Sequence, residues 1–231
     1  MHPIQKLWNE YAHLDASKFR ESNLSKIPEM LPGTASFPVS SGTFRITGAW
    51  EFSRFPMGGI MFIGNDADLK RNYKKRKKSG FSNGDPEDRM LFWCRVRCLL
   101  EIANVTEELL PQGDCFFTNV YPALRHDTKR PRPSPSFRRL CLEFLQKQVC
   151  EMTPRLIVAF GTKACDFLGL ARQGKSVLRN TTLACPEAML IERTPVLHLD
   201  HPSGRTTALI AKNAKSLIPV LRATRSPKAF N

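Results

Sequence analysis

Four short apolar runs, residues 59–64 (GIMFIG), 115–121 (CFFTNVY), 155–161 (RLIVAFG) and 195–201 (PVLHLDH), constrain the fold more than any other feature of this chain. Each is nearly continuous in apolar residues instead of alternating with polar ones, the pattern of a strand buried on both faces of a parallel sheet. Stretches with helical character at 89–105, 136–151 and 162–170 separate them. Strand and helix thus alternate, which predicts an α/β domain with crossover helices on both faces of the sheet. Ahead of the first run, Ile4, Leu7, Trp8, Tyr11 and Leu14 recur at helical spacing. Residues 23–47, rich in Ser, Pro and Gly, predict a surface loop. The expected plan is an N-terminal helix and loop (1–44) packed on one domain (45–222), followed by a basic tail (223–231).

The charge balance narrows the partners. The 231 residues carry 35 Lys and Arg against 21 Asp and Glu, a formal charge of +14. A hydrophobic share of 42% excludes a chain that stays unfolded for want of a core. No apolar run approaches the ~20 residues that cross a bilayer, and the start MHPIQKLWNEYAHLD lacks a secretory apolar stretch. The expectation is a protein of the cytoplasm, associated with the nucleoid, or of the nucleus in a eukaryotic cell. Seven cysteines, an odd number without framework spacing, predict reduced thiols. Lys and Arg displace counterions from a phosphate backbone, so nucleic acid is the expected partner. A membrane surface would need a basic amphipathic helix or a lipidation signal, and the sequence offers neither.

In open parallel sheets, ligands bind beyond the carboxyl ends of the strands, where loops and helix N-termini converge. Those ends carry Asn65-Asp66-Ala67-Asp68, Asn119-Val120-Tyr121-Pro122, Gly161-Thr162-Lys163 and His201-Pro202-Ser203-Gly204-Arg205. An Asp, an Asn and a His leaving three different strands suit polar chemistry. The run Lys70-Arg71-Asn72-Tyr73-Lys74-Lys75-Arg76-Lys77-Lys78 directly follows the first of these ends, and a second basic stretch, 125–139, follows the second strand. Such a run is either a solvated or targeting segment or, at the mouth of a crevice, a grip on phosphate.

Taken in order, the four segments resemble the signature of the uracil-DNA glycosylase superfamily. Gly64-Asn65-Asp66 is similar to the first motif of that fold, a Gly-Gln-Asp-Pro-Tyr or Gly-Met-Asn-Pro-Gly sequence after the first strand. Thr118-Asn119 resembles the Asn-bearing end of the second strand, Phe160-Gly161-Thr162 the Gly-Ser loop after the third, and His201-Pro202-Ser203-Gly204-Arg205 the closing His-Pro-Ser motif. The resemblance spans roughly residues 45 to 220. It implies a three-layer α/β/α domain with a four-stranded parallel sheet, and a DNA glycosylase that works without a cofactor, as a monomer.

Cutting an N-glycosidic bond sends the base off as an anion and turns the sugar into an oxocarbenium cation, so the site must stabilise both charges. Asp66 then orients a water and stabilises the cation; its other reading is a helix N-cap after a strand. His201, as a neutral imidazole, donates to the carbonyl oxygen of a leaving pyrimidine, or else is a buried His bonded to backbone. Asn119 donates to and accepts from one base edge, or is a turn residue before Pro122. Asn65 and Asp68 border the same pocket. The target base must leave the stack. Arg205 stands where relatives place a wedge, Ser203 and the amides of Gly161 and Thr162 suit phosphate, and Phe81 falls near the family's stacking ring or is a core Phe.

The sequence departs from the family pattern at Ala67, which replaces Pro and loosens the turn expected to hold Asp66. It departs again at Asp68, which stands where uracil-specific members have a Tyr that excludes a 5-methyl group. That leaves room above C5 and points to a damaged or modified pyrimidine, uracil or a 5-substituted base, in repair or in defence against foreign DNA. Cys94 and Cys98, one helical turn apart without partners, predict core residues and no iron–sulfur site. His198 and His201, three apart on a strand, point to opposite faces and predict no metal site. The rival readings are a DNA-binding member of the fold without catalysis and an α/β enzyme acting on free nucleotides.

Overall fold

A computed structural model of the chain describes residues 3–26, 37–39, 58–71, 74, 95–96, 98–99, 102, 115–126, 133–168, 194–202 and 207–225. Its elements in chain order are α1 (Pro3–Ala12), α2 (Ala16–Glu21), β1 (Leu24–Lys26), β2 (Phe37–Val39), β3 (Ile60–Leu69), β4 (Cys115–Arg125), α3 (Pro135–Met152), β5 (Leu156–Phe160), α4 (Gly161–Phe167), β6 (Val196–Leu199) and α5 (Thr207–Arg225). Residues 95, 96, 98, 99 and 102 are also helical.

The four apolar runs form the four parallel strands, in the order β4-β3-β5-β6. Every residue of β5 is buried, as a strand covered on both faces must be. One face packs Met61, Ile63, Ile157 and Ala159 against α1 to α4. The other packs Ile60, Phe62, Val158 and Leu197 against α5 and the helical residues Val96 and Leu99. The period-2 alternation along each strand therefore feeds two cores, which makes the expected three layers.

Two expectations change at the N-terminal side. Residues 23–47, expected as a loop, contain β1 and β2, and both pair antiparallel with the outer edge of β4. Strands of three residues are too short for alternation to show in a sequence. The helix expected over the first residues is two helices, because Asp15 caps α2 by accepting from the Ser17 N–H at 2.8 Å. Tyr11 and Phe19 are fully buried against Phe137 and Phe144 of α3.

Helix α3 follows its local chemistry closely. Ser134 caps it by accepting from the Phe137 N–H at 3.2 Å, Pro135 opens it, and Thr153 ends it with φ 42°. Its apolar face includes Phe137, Cys141, Phe144, Leu145, Val149 and Met152. The buried Gln148 on the same face accepts from the Thr118 hydroxyl at 2.7 Å and fixes α3 against β4.

Candidate active site

The connection from β3 runs to β4 on one side and that from β5 to β6 on the other, so the strand order reverses between β3 and β5, where open sheets of this kind bind ligands. Adjacent strands lie ~4.8 Å apart, so the ends of all four parallel strands fall within about 15 Å of one another along the sheet. Gly161 and His201 lie just beyond β5 and β6, while Asn65 and Asp66 on β3 and Asn119 on β4 lie within strands that run on past them.

Strand β3 does not turn after Gly64. It continues through the motif to Leu69, with Asp66 paired to Tyr121, Asp68 to Leu124 and Leu69 to Arg125. The loosened turn expected from Ala67 is therefore extended backbone, and Asp66 is a strand residue, not a helix N-cap. The register shifts between Asp66 and Asp68, where β4 sets two residues, Pro122 and Ala123, against the single Ala67 of β3. Proline inside a strand is at home in such an irregularity, and the Pro122 carbonyl accepts from the hydroxyl of Tyr11 on α1.

Asn119 lies inside β4, so it is not a turn residue before Pro122. It is the register partner of Gly64, and its amide oxygen lies 2.5 Å from where a Cβ on residue 64 would be. A side chain at 64 would thus displace the Asn119 amide. Thr118 turns to the α3 face and bonds Gln148, so alternation sends Asn119 to the opposite face. Two residues on, Tyr121 is half-buried on the α3 and α4 side between Phe137 and Phe167, and burial pushes its hydroxyl pKa up to about 12.

After β5 the chain enters α4 at Gly161, with φ 79°, a left-handed conformation that side chains rarely adopt. A Cβ there would approach the His201 Cβ to 3.1 Å, so the glycine lets the third and fourth strand ends close on each other. Thr162 and Lys163 are exposed at the start of α4. His201 is half-buried and lies beyond β6, not on it as expected; the strand ends at Leu199. His198, inside β6, pairs with Ala159, and its Nε2 is buried without a hydrogen-bond partner.

The residues flanking His201 are tied from two helices. Asn213 of α5 accepts from the Asp200 N–H at 3.2 Å and donates from Nδ2 to the Asp200 carbonyl at 2.8 Å. On the other side, Arg95 donates from Nη1 to the Pro202 carbonyl at 3.2 Å. Sequence reasoning passed over both residues. The available signal was an Asn at 213 amid the apolar face of Ile210, Ala214 and Leu217.

Lys74 is helical and exposed, as is Arg71. Phe81, Lys75, Arg76, Lys77, Lys78, Ser203 and Arg205 lie outside the described residues, and for Asp66 and Asp68 only the backbone is described. In the second basic stretch, Arg138 lies 5.2 Å over the Phe167 ring and donates to the Asp166 carbonyl at 3.2 Å. Among the described residues no cluster of His, Cys, Asp or Glu could hold a metal ion, and no helix is long and apolar enough to cross a membrane.

An open α/β sheet whose polar motif residues gather toward the carboxyl ends of its parallel strands is the frame of a ligand-binding α/β domain. The model of the uracil DNA glycosylase superfamily matches residues 56–225, and the chain belongs to that superfamily. Its members are generally DNA glycosylases, hydrolases of the bond between a base and its deoxyribose. A comparison with curated proteins gives no match.

Proposed function

We propose that this protein is a DNA glycosylase that flips a damaged or modified pyrimidine, uracil or a 5-substituted base, and hydrolyses its N-glycosidic bond to leave an abasic site. The observation that carries the reading is the meeting of the motif segments on four adjacent parallel strands, with Gly64 against Asn119 and Gly161 against His201. In this reading Asn119 bonds the edge of the flipped base, with Asn65 and Asp68 beside it and Phe81 stacked on its face. The C1′–N bond breaks with its electron pair leaving on the base, and His201 donates a hydrogen bond to the base carbonyl that gains the charge. Asp66 faces the cation at C1′ and orients the water whose oxygen forms the new bond there; the proton released passes to the carboxylate. Gly161, Thr162 and Ser203 hold phosphate, Arg205 fills the vacated stack, and the run from Lys74 to Lys78 grips the backbone. The protein acts as a monomer on DNA of the nucleoid or nucleus, and no step calls for a cofactor.

Single-turnover assays test this on duplexes carrying uracil or 5-substituted pyrimidines, scored by alkaline cleavage at abasic sites. Asp66→Asn and His201→Ala should each slow base release by at least ~100-fold while DNA binding survives, the scale of losing one preorganised electrostatic group. A near-wild-type rate in either variant removes that residue from the mechanism. A wild type that binds these duplexes and releases no base is a DNA-binding member of the family.

A further inference from the structure

The loop that carries His201 is held by groups that do not belong to the motif. Helix α5 is a 19-residue element whose inner face is apolar, yet Asn213 on that face is only 3% exposed. A buried amide is costly unless both its ends are bonded. Both are bonded here, to the N–H and the carbonyl of the single residue Asp200. The Asp200 side chain turns away, to the exposed Lys212 ammonium at 2.7 Å. The contact therefore fixes backbone, and the backbone it fixes leads directly into His201.

We propose that Asn213 is a positioning residue for His201. Its amide clasps Asp200 on the amino side of the imidazole, Arg95 ties Pro202 on the carboxyl side, and Gly161 leaves the space that the ring's Cβ enters. The proposal rests on the reading of His201 as the group that meets the leaving base. An imidazole donating to a developing anion has to be set before the reaction, because a displacement of about 1 Å costs on the order of 100-fold in rate. Asp200, His201 and Pro202 lie beyond a four-residue strand and outside its ladder, which leaves them without that source of rigidity. Two bonds from a buried helix side chain supply it without any contact to the substrate.

The test uses the full chain and two variants, Asn213→Leu, which removes both bonds at similar volume, and the isosteric Asn213→Asp, which keeps the acceptor and loses the donor. Both should release base about 10- to 100-fold more slowly in single turnover, with the Kd for the same duplex within about 2-fold of wild type. The His201 Hε1 resonance, assigned by its loss in His201→Ala, should move in both variants. In a His201→Ala background, Asn213→Leu should add no further loss, since its effect travels through the ring. Wild-type rates together with an unmoved resonance in Asn213→Asp would overturn the proposal, and so would losses that add to those of His201→Ala. A wild-type rate in His201→Ala alone would instead overturn the catalytic reading, and the resonance would still decide whether Asn213 orients the ring.

Discussion

Gly64 and Asn119 are register partners across β3 and β4, and the Asn119 amide oxygen lies where a side chain on residue 64 would begin, 2.5 Å from the Cβ position. Gly64→Ala must therefore push the Asn119 amide off its rotamer, at a cost of about 0.5–1.5 kcal/mol. Base release should fall about 2- to 10-fold, with weaker discrimination between uracil and cytosine and little change in DNA affinity. Single-turnover rates on the two bases measure it. An unchanged ratio would remove Asn119 from base reading.

The basic run makes a separate prediction about affinity. Replacing Lys74, Lys75, Arg76, Lys77 and Lys78 with Ser should weaken binding to duplexes of every sequence and flatten the dependence of log affinity on log salt. Each lost phosphate contact removes roughly 0.9 of a slope unit. Titrations at several salt concentrations read the slope, and an unchanged one makes the run a solvated or targeting segment.

Asp68 carries the prediction about substrate. With a carboxylate in place of a bulky ring, the pocket should admit a substituent on C5 and favour one bearing a hydroxyl that can donate to it. Asp68→Tyr should suppress release of 5-substituted bases and spare uracil. Strong wild-type activity on uracil, with none on any 5-substituted pyrimidine, would mean that another side chain closes the space.

The thiols separate by burial. Burial pushes the Cys141 thiol well above its ordinary range and, with the nearby Asp166 charge adding to it, raises Cys165 to about 12. A raised thiol pKa keeps the proton on, so the reactive thiolate is scarce at pH 8 and grows only as pH climbs toward that value. Iodoacetamide at pH 8 should label the exposed Cys150 and leave Cys141 and Cys165 until the protein unfolds. Mass spectrometry of peptides from native and unfolded protein checks this.

The four parallel strands were legible because burial on both faces leaves a nearly unbroken apolar run, as in LIVAF of β5. The polar ends of β3 and β4 were not, since Asn65 to Asp68 reads as a loop until the pairing with Tyr121 and Leu124 shows it extended. The motif residues could be found by place, because strand ends are where such sheets bind. Asn213 could not: its partner is 13 residues away through the backbone of Asp200, and nothing in a sequence marks which peptide a buried amide will clasp. In the sequence Gly64 and Gly161 are only motif letters, and the structure gives them a cause, the side chains of Asn119 and His201.

The pairing of β1 and β2 with β4 has a colloidal consequence. An eleven-residue strand with an open side is a template on which another copy can add its own strand. Two three-residue strands cover the two ends of that side here, at 115–117 and 123–125, and Leu24 in the core and Tyr11 on Pro122 anchor the N-terminal part of the chain to it. Both lie ahead of residue 56, where the superfamily match begins. The match thus contains the strand ends, while the guard against copies zipping together comes from outside it. For a chain whose formal charge of +14 favours polyanions as partners, such cover disfavours strand-to-strand pairing between neighbouring copies.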